Sequence, residues 1–180
     1  MSTTEKHNVQ LADGVMPHED ARRFRRLVTG VDDTGRSVFL ADGETTSIQT
    51  VAGTSTFVVT NLWQHGEVPV RNDGPPDDGL GGAVTLEPPV GGSIFRIVEF
   101  PPDADWKANG VADQVHATAS LDYALVLDGE IWAVLDDTEQ LMAAGDVLIQ
   151  RGTRHAWSNR SQVPAVVAFV LISGTIPTGS

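Results

Sequence analysis

The chain has 180 residues, 41% of them apolar, and carries twelve Lys and Arg against twenty-four Asp and Glu, a formal charge of −12. That length fits one domain with a sizeable core, and the acidic balance argues against a nucleic-acid backbone or an anionic membrane surface as the main partner, since either needs clustered cations. There is no cysteine, so disulfides and thiolate chemistry are excluded, and any metal has to be held by His, Asp, Glu or similar ligands.

In chain order, residues 1–21 are polar and aperiodic and are expected to form an N-terminal arm or short cap. The opening MSTTEKHNVQ lacks the apolar stretch of a secretory signal, and no segment approaches the roughly 18 apolar residues of a membrane span. A cytoplasmic protein is expected. RRFRRLVTGVDDTGRSVFLADG (22–43) predicts two short strands around a turn at Asp32-Asp33-Thr34-Gly35. Its cluster of Arg22, Arg23, Arg25 and Arg26, interleaved with Phe24 and Leu27, reads as an edge strand protected by charge. TSTFVVTNLW (54–63) predicts a further strand. GEVPVRNDGPPDDGLGG (66–82) is too rich in Gly, Pro, Asp and Asn for a regular element and predicts a long loop, either a lid or an insertion.

SIFRIVEFPP (93–102) returns to strand character and ends at Pro101 and Pro102. Helical periodicity is weak, with 103–110 and the arm as the only candidates. DYALVL (122–127) and EIWAVL (130–135) flank Asp128-Gly129, the strongest hairpin signal in the chain. Strands then follow through EQLMAAGDVLIQRG, TRHAWSN and PAVVAFVLI (164–172). Many short strands and few helices predict an all-β barrel or sandwich, with residues 22–180 forming one domain behind the 1–21 arm.

Two spaced motifs stand in the second half. Gly145, five residues, Arg151-Gly152, two residues, His155, three residues and Asn159 form one. His116, Thr118, Asp122 and, after six residues, Gly129 form the other. Together they resemble the paired motifs of the cupins. In those proteins the first motif is Gly, five residues, His-x-His, three or four residues, Glu, six residues, Gly. The second is Gly, five residues, Pro-x-Gly, two residues, His, three residues, Asn. The second is nearly intact here, with Arg151-Gly152 at the turn in place of Pro-x-Gly. The first has Thr118 in place of the second histidine and Asp122 at the glutamate position. The likeness covers residues 93–172. It implies a double-stranded β-helix (cupin or jelly-roll barrel) with an N-terminal extension, a small-molecule ligand, and a homodimer in which the Arg-rich strand is a plausible exchange element.

Strand parity gives the motifs a physical meaning. Side chains alternate between faces, so His116, Thr118, Asp122, Ala124 and Val126 share one face, as do His155 and Trp157, and Tyr123 points the other way. Two imidazoles and a carboxylate converging in a small barrel form a 2-His-1-carboxylate set suited to Fe(II) and also to Mn, Co, Ni or Zn. His116, Asp122 and His155 are therefore the expected ligands of a divalent metal. The alternatives are a metal-free acid–base pocket in which Asp122 bonds His155 or the backbone, and polar groups that are merely buried and satisfied. Thr118 is a candidate for moving protons with the other three. Trp132, Trp157 and Arg96 are candidates for a pocket wall. Arg96 either faces solvent, the default on a strand, or meets a substrate carboxylate there. His65 and Glu130 are expected at the surface. A metal-dependent lyase, dehydratase or isomerase step on a small organic acid, aromatic or polyketide-like metabolite is the expected activity. An Fe(II)-dependent dioxygenase and a non-catalytic small-molecule-binding cupin are the alternatives.

Overall fold

Alternation of side chains, not a helical period, runs through this sequence, and the chain folds accordingly as strands. A computed structural model describes residues 14–73, 76–80, 85–107 and 114–178. Residues 1–13 of the expected arm, parts of the expected 66–82 loop and residues 108–110 of the expected helix lie outside the described residues.

The elements are β1 (Arg25–Val31), β2 (Ser37–Glu44), β3 (Ile48–Val51), β4 (Thr54–His65), β5 (Ser93–Phe100), α1 (Asp103–Trp106), β6 (Ser120–Asp128), β7 (Glu130–Val134), β8 (Glu139–Ala143), β9 (Val147–Arg151), β10 (Ala156–Ser158) and β11 (Ala165–Ser173). They form a six-stranded sheet in the order β3-β4-β5-β11-β6-β9, a three-stranded sheet β10-β7-β8, and the separate hairpin β1-β2. Every pairing is antiparallel. This is the all-β jelly-roll barrel that the motifs imply. No helix of the described residues is long and apolar enough to cross a membrane.

The core lies between the two sheets. Phe57, Val98, Phe100, Val167 and Phe169 from the large sheet meet Ile131 and Met142 from the small one. Burying each such side chain contributes roughly 1.5–3 kcal/mol relative to exposure. The aromatic members touch edge-on or tilted, Phe57 lying 5.1 Å from Phe100 and Trp157 lying 5.4 Å from Phe169 between ring centroids. The large sheet is also covered on part of its outer face. Leu62, Ile97 and Val166 pack there with Phe24, and the Arg22 amide N–H donates to Glu99 Oε1 at 2.9 Å. Described residues of the N-terminal segment are therefore docked on the barrel, with Ala21 buried and Thr50 Oγ1 donating to the Val15 carbonyl at 2.9 Å.

The β1-β2 hairpin turns at Asp32, whose carboxylate accepts the Thr34 and Arg36 amides at 2.9 and 3.0 Å. The arginines near it are occupied within the molecule: Arg22 pairs with Asp128, Arg25 with Asp42, and Arg26 with both Asp78 and the Leu62 carbonyl.

One expectation needs correction. Asp128-Gly129 is not a hairpin turn, because β6 and β7 belong to different sheets. Gly129, at φ 74°, instead turns the chain out of the large sheet into the small one. A Cβ there would stand 2.9 Å from the Pro164 carbonyl oxygen. Asp-Gly supplies the positive φ that any tight corner needs, so the dipeptide marks a corner without saying whether the strands it joins will pair. Of the helix expected over 103–110, the described residues form α1 at Asp103–Trp106. Its start is fixed from outside by Asp103, whose carboxylate accepts Ser158 Oγ at 2.6 Å and the Asn159 amide at 3.1 Å.

Candidate active site

The two motif histidines meet through the backbone. His116 and His155 form an isolated antiparallel bridge, each amide donating to the other's carbonyl at 2.9 Å. Residues paired this way send their side chains to the same side, and the two ring centroids lie 4.4 Å apart. Gly152 makes the approach possible. At φ 64° it turns the chain so closely against Thr118 that a Cβ would lie 3.2 Å from the Thr118 carbonyl.

Both imidazoles are oriented alike. His116 Nδ1 lies 2.8 Å from the Gln114 carbonyl, and His155 Nδ1 lies 2.9 Å from the Thr153 carbonyl. A carbonyl only accepts, so each Nδ1 carries the proton and each Nε2 keeps its lone pair. The surroundings hold the rings neutral. Burial, reinforced by the neighbouring His155, pulls His116 down to about 4, and burial lowers His155 as well.

Asp122 projects from β6 on the same face, with only 5% of its surface exposed. Its Oδ1 lies 2.5 Å from Ser120 Oγ, which is also 2.8 Å from Thr118 Oγ1. The one Ser120 proton serves only one of these neighbours. When Asp122 is protonated, its carboxyl donates to Ser120 and Ser120 donates to Thr118. Burial pushes Asp122 above the usual carboxylate range, against the opposing pull of the Ser120 hydrogen bond. Ser120 was not among the sequence candidates, although the parity that selected Thr118 and Asp122 places it on the same face.

These groups line a cavity that is open to solvent. Arg96, Gln114, His116, Thr118, Asp122 and His155 supply its polar side. The rest is apolar and aromatic, including Phe57, Phe100, Trp106, Trp157 and Phe169. A mostly apolar cleft with a few convergent polar groups is the usual form of a small-molecule site.

Arg96 does not face solvent as the strand default suggested. It is 6% exposed and lines the cavity. Trp132, in contrast, is not part of this lining; it sits on β7 with the Arg160 guanidinium stacked 4.4 Å from its ring centroid. Trp157 lines the cavity as expected, and Tyr123 points outward, 42% exposed. His65 Nε2 lies 2.7 Å from Ser93 Oγ at the end of β4, outside this lining.

The donor set fits only in part the metal that the fold suggests. The two bare Nε2 atoms suit a divalent ion, and each ring is anchored through its other nitrogen as metal-binding histidines are. The carboxylate is the weak member. Among the described residues no three His, Asp or Glu side chains gather closely enough to hold an ion, and Asp122 is engaged by Ser120.

The low pKa of His116 has a thermodynamic consequence. Its folded value of about 4 lies below its ordinary 6.5, so an unfolded chain takes up the proton first as the pH falls. Stability from this group is present above pH 6.5 and is lost down to about 4, by at most roughly 3 kcal/mol. His155 acts in the same direction. Asp122, raised above its ordinary value, acts in the opposite one, its contribution being lost as the pH rises through its folded pKa. Thermal melts between about pH 7 and pH 4.5 are expected to show a falling midpoint in the native protein and a flatter profile in His116→Asn.

No protein-family model matches the chain. Among curated proteins it is 32% identical over 157 residues to the cupin-domain-containing oxidoreductase fogC of Aspergillus ruber, covering 83% of this chain and 72% of that one. It is 34% identical over 148 residues to the phomopsin biosynthesis cluster protein C' of Diaporthe leptostromiformis, covering 79% and 74%. It is 30% identical over 163 residues to the cupin-domain-containing oxidoreductase virC of Hypocrea virens, covering 87% and 79%. Among solved structures, the Cnp3 cupin domain of Schizosaccharomyces pombe superposes with a TM-score of 0.49 at 13% identity, covering 84% of this chain and 89% of that one. The chain belongs to the cupin family.

Proposed function

We propose that this cupin is a small-molecule enzyme whose barrel cavity moves protons on a bound metabolite, in a lyase, dehydratase or isomerase step. The observation that carries the reading is the pair of neutral imidazoles with bare Nε2 atoms, set beside a buried carboxyl in an apolar cavity. A bare Nε2 is a general base, and a carboxyl whose pKa is raised is a general acid. In a dehydration, one imidazole takes the proton from the carbon next to a carbonyl, the C–H electron pair becomes the new double bond, and Asp122 protonates the departing hydroxyl, which leaves as water. In an isomerisation the same proton returns to a different carbon. Thr118 and Ser120 hold Asp122 in place and connect it to a hydroxyl chain. The names of relatives from biosynthetic clusters support a secondary-metabolite substrate.

A second reading has its own support, since relatives are named oxidoreductases and both Nε2 atoms are available. In it, His116 and His155 hold a divalent metal, Fe, Mn, Ni, Co or Zn, with Asp122 nearby. The metal would supply Lewis-acid or, with iron, oxygen chemistry. The experiment is turnover of hydroxy- and keto-substituted aromatic acids in D₂O, followed by mass spectrometry, on protein treated with a strong chelator. The proton-transfer reading predicts deuterium uptake or loss of water that survives chelation. Activity that vanishes with chelation and returns with one added metal selects the second reading, and ligand binding without turnover leaves a non-catalytic binding protein.

We propose in addition that the protein is a homodimer. The outer face of β6 and β9 exposes Tyr123, Leu125, Leu127, Val147 and Ile149, and β9 is the open edge of the large sheet. A self-complementary apolar patch is the usual basis of a two-fold interface. Light scattering should give a dimer for the native chain and a monomer for Ile149→Glu. A native monomer would overturn the assignment.

A further inference from the structure

We infer that Arg96, with Asn61 beside it, is the seat of a ligand carboxylate, so that the substrate is a small carboxylic acid with an apolar, ring-sized body. The inference rests on the reading of the cavity as a small-molecule site and adds what that site recognises.

Arg96 lies on β5 and is directly opposite Asn61 of β4 in the sheet register. Register between these strands is unbroken from Val58 to Asn61, so Asn61 shares a face with Phe57 and Val59, which line the cavity. Arg96 is 6% exposed, and Asn61 is fully buried. The Arg96 guanidinium donates through Nη2 to the Thr85 carbonyl at 2.8 Å. Its Nε, and both the nitrogen and the oxygen of the Asn61 side chain, have no partner among the described residues.

Buried polar atoms are nearly always paired, and each exception needs a reason. Here three unpartnered atoms sit on two residues paired across β4 and β5, and one of the two, Arg96, lines the cavity. Burial lowers Arg96 only to about 10, so the cation persists at neutral pH. Asp122 attracts it through space, but that carboxylate is held by Ser120 and makes no hydrogen bond to Arg96 among the described residues.

A buried guanidinium with an N–H left unpaired calls for an anionic partner, and its fork geometry favours the two oxygens of a carboxylate over a neutral group. The rest of the lining includes Phe57, Phe100, Trp157 and Phe169, which suit a flat apolar body and offer it no charge. A substrate held at Arg96 by its carboxylate extends its body along these rings towards the two imidazoles.

Calorimetric titration of the full chain with cinnamate and with cinnamyl alcohol tests this, because the probes share a body and differ in the carboxylate. The native protein is expected to bind cinnamate at least about tenfold more tightly than the alcohol. Arg96→Met is expected to reduce that preference to less than about threefold while alcohol binding is retained. Asn61→Asp is the second variant. It places a carboxylate of the protein against Arg96, which keeps the guanidinium paired and the sheet intact, and it too is expected to abolish the preference. A native protein that binds both probes equally, or a preference that survives in both variants, overturns the carboxylate seat and leaves the cavity reading standing. If neither probe binds, the cavity reading falls as well.

Discussion

Replacing His155 with alanine is expected to lower turnover by about 10²- to 10⁴-fold, the usual worth of a positioned acid or base. The fold should survive the change. His155 contributes its backbone to the bridge with His116 whatever its side chain, and the ring mainly touches His116 and Trp157, 4.4 and 6.1 Å away between centroids. His116→Ala should show a loss of similar size. Because the two rings act on one bound molecule, the double variant should lose little more than either single one. Asp122→Asn is the informative companion: it preserves shape and a hydrogen bond to Ser120 but removes the proton that a departing hydroxyl needs. Rates compared at saturating and at limiting substrate separate lost chemistry from lost binding, and a change confined to KM would count against a proton-transfer role.

The largest expected stability change lies outside the cavity, at the last residue of the second motif. Asn159 is 2% exposed. Its side-chain nitrogen donates to the carbonyls of Phe100 and Val163 at 2.9 and 2.8 Å, and its oxygen accepts from the Ser161 amide and hydroxyl at 3.0 and 2.8 Å. It thereby ties the end of β5 to the turn that leads into β11. Alanine removes all four bonds, at a cost of about 2–4 kcal/mol. For a domain of this size the thermal midpoint should fall by roughly 10 °C. Asn159→Asp keeps the acceptor and loses both donated bonds, so it should recover only part of the loss. A midpoint unchanged in Asn159→Ala would show that the motif asparagine does not fasten these segments.

The sequence was most legible where a physical rule had one outcome. Strand parity placed Thr118, Asp122, Ala124 and Val126 inside and Tyr123 outside, because a side chain on a strand has only two faces to choose from. Motif spacing brought His116 and His155 to one face, although nothing in the local sequence shows the two-way backbone bridge that joins them. Rules with two outcomes failed. Asp-Gly at 128–129 satisfies a sheet-to-sheet corner as well as a hairpin, and only the pairing of β6 with β11 and β9 decides between them. Arg96 looked like a solvent-facing side chain because an arginine on a strand usually is one. Its inward direction follows from sharing a face with Val98 and Phe100, which parity alone could have shown. Trp132 was assigned to the pocket by residue type, but its place on β7 sets it against Arg160. The engagement of Asp122 by Ser120 depends on distances that no sequence pattern states.

The proposed chemistry depends on two neutral imidazoles with bare Nε2 atoms inside an apolar barrel. Long-range ¹⁵N–¹H correlation spectra of the histidine rings, recorded on chelator-treated protein at about pH 7, report tautomer and charge directly. The predicted result is that His116 and His155 are both neutral with the proton on Nδ1, and that His116 gains charge only as the pH approaches about 4. An imidazolium at either position at neutral pH, or a proton on either Nε2, would contradict the proposed site.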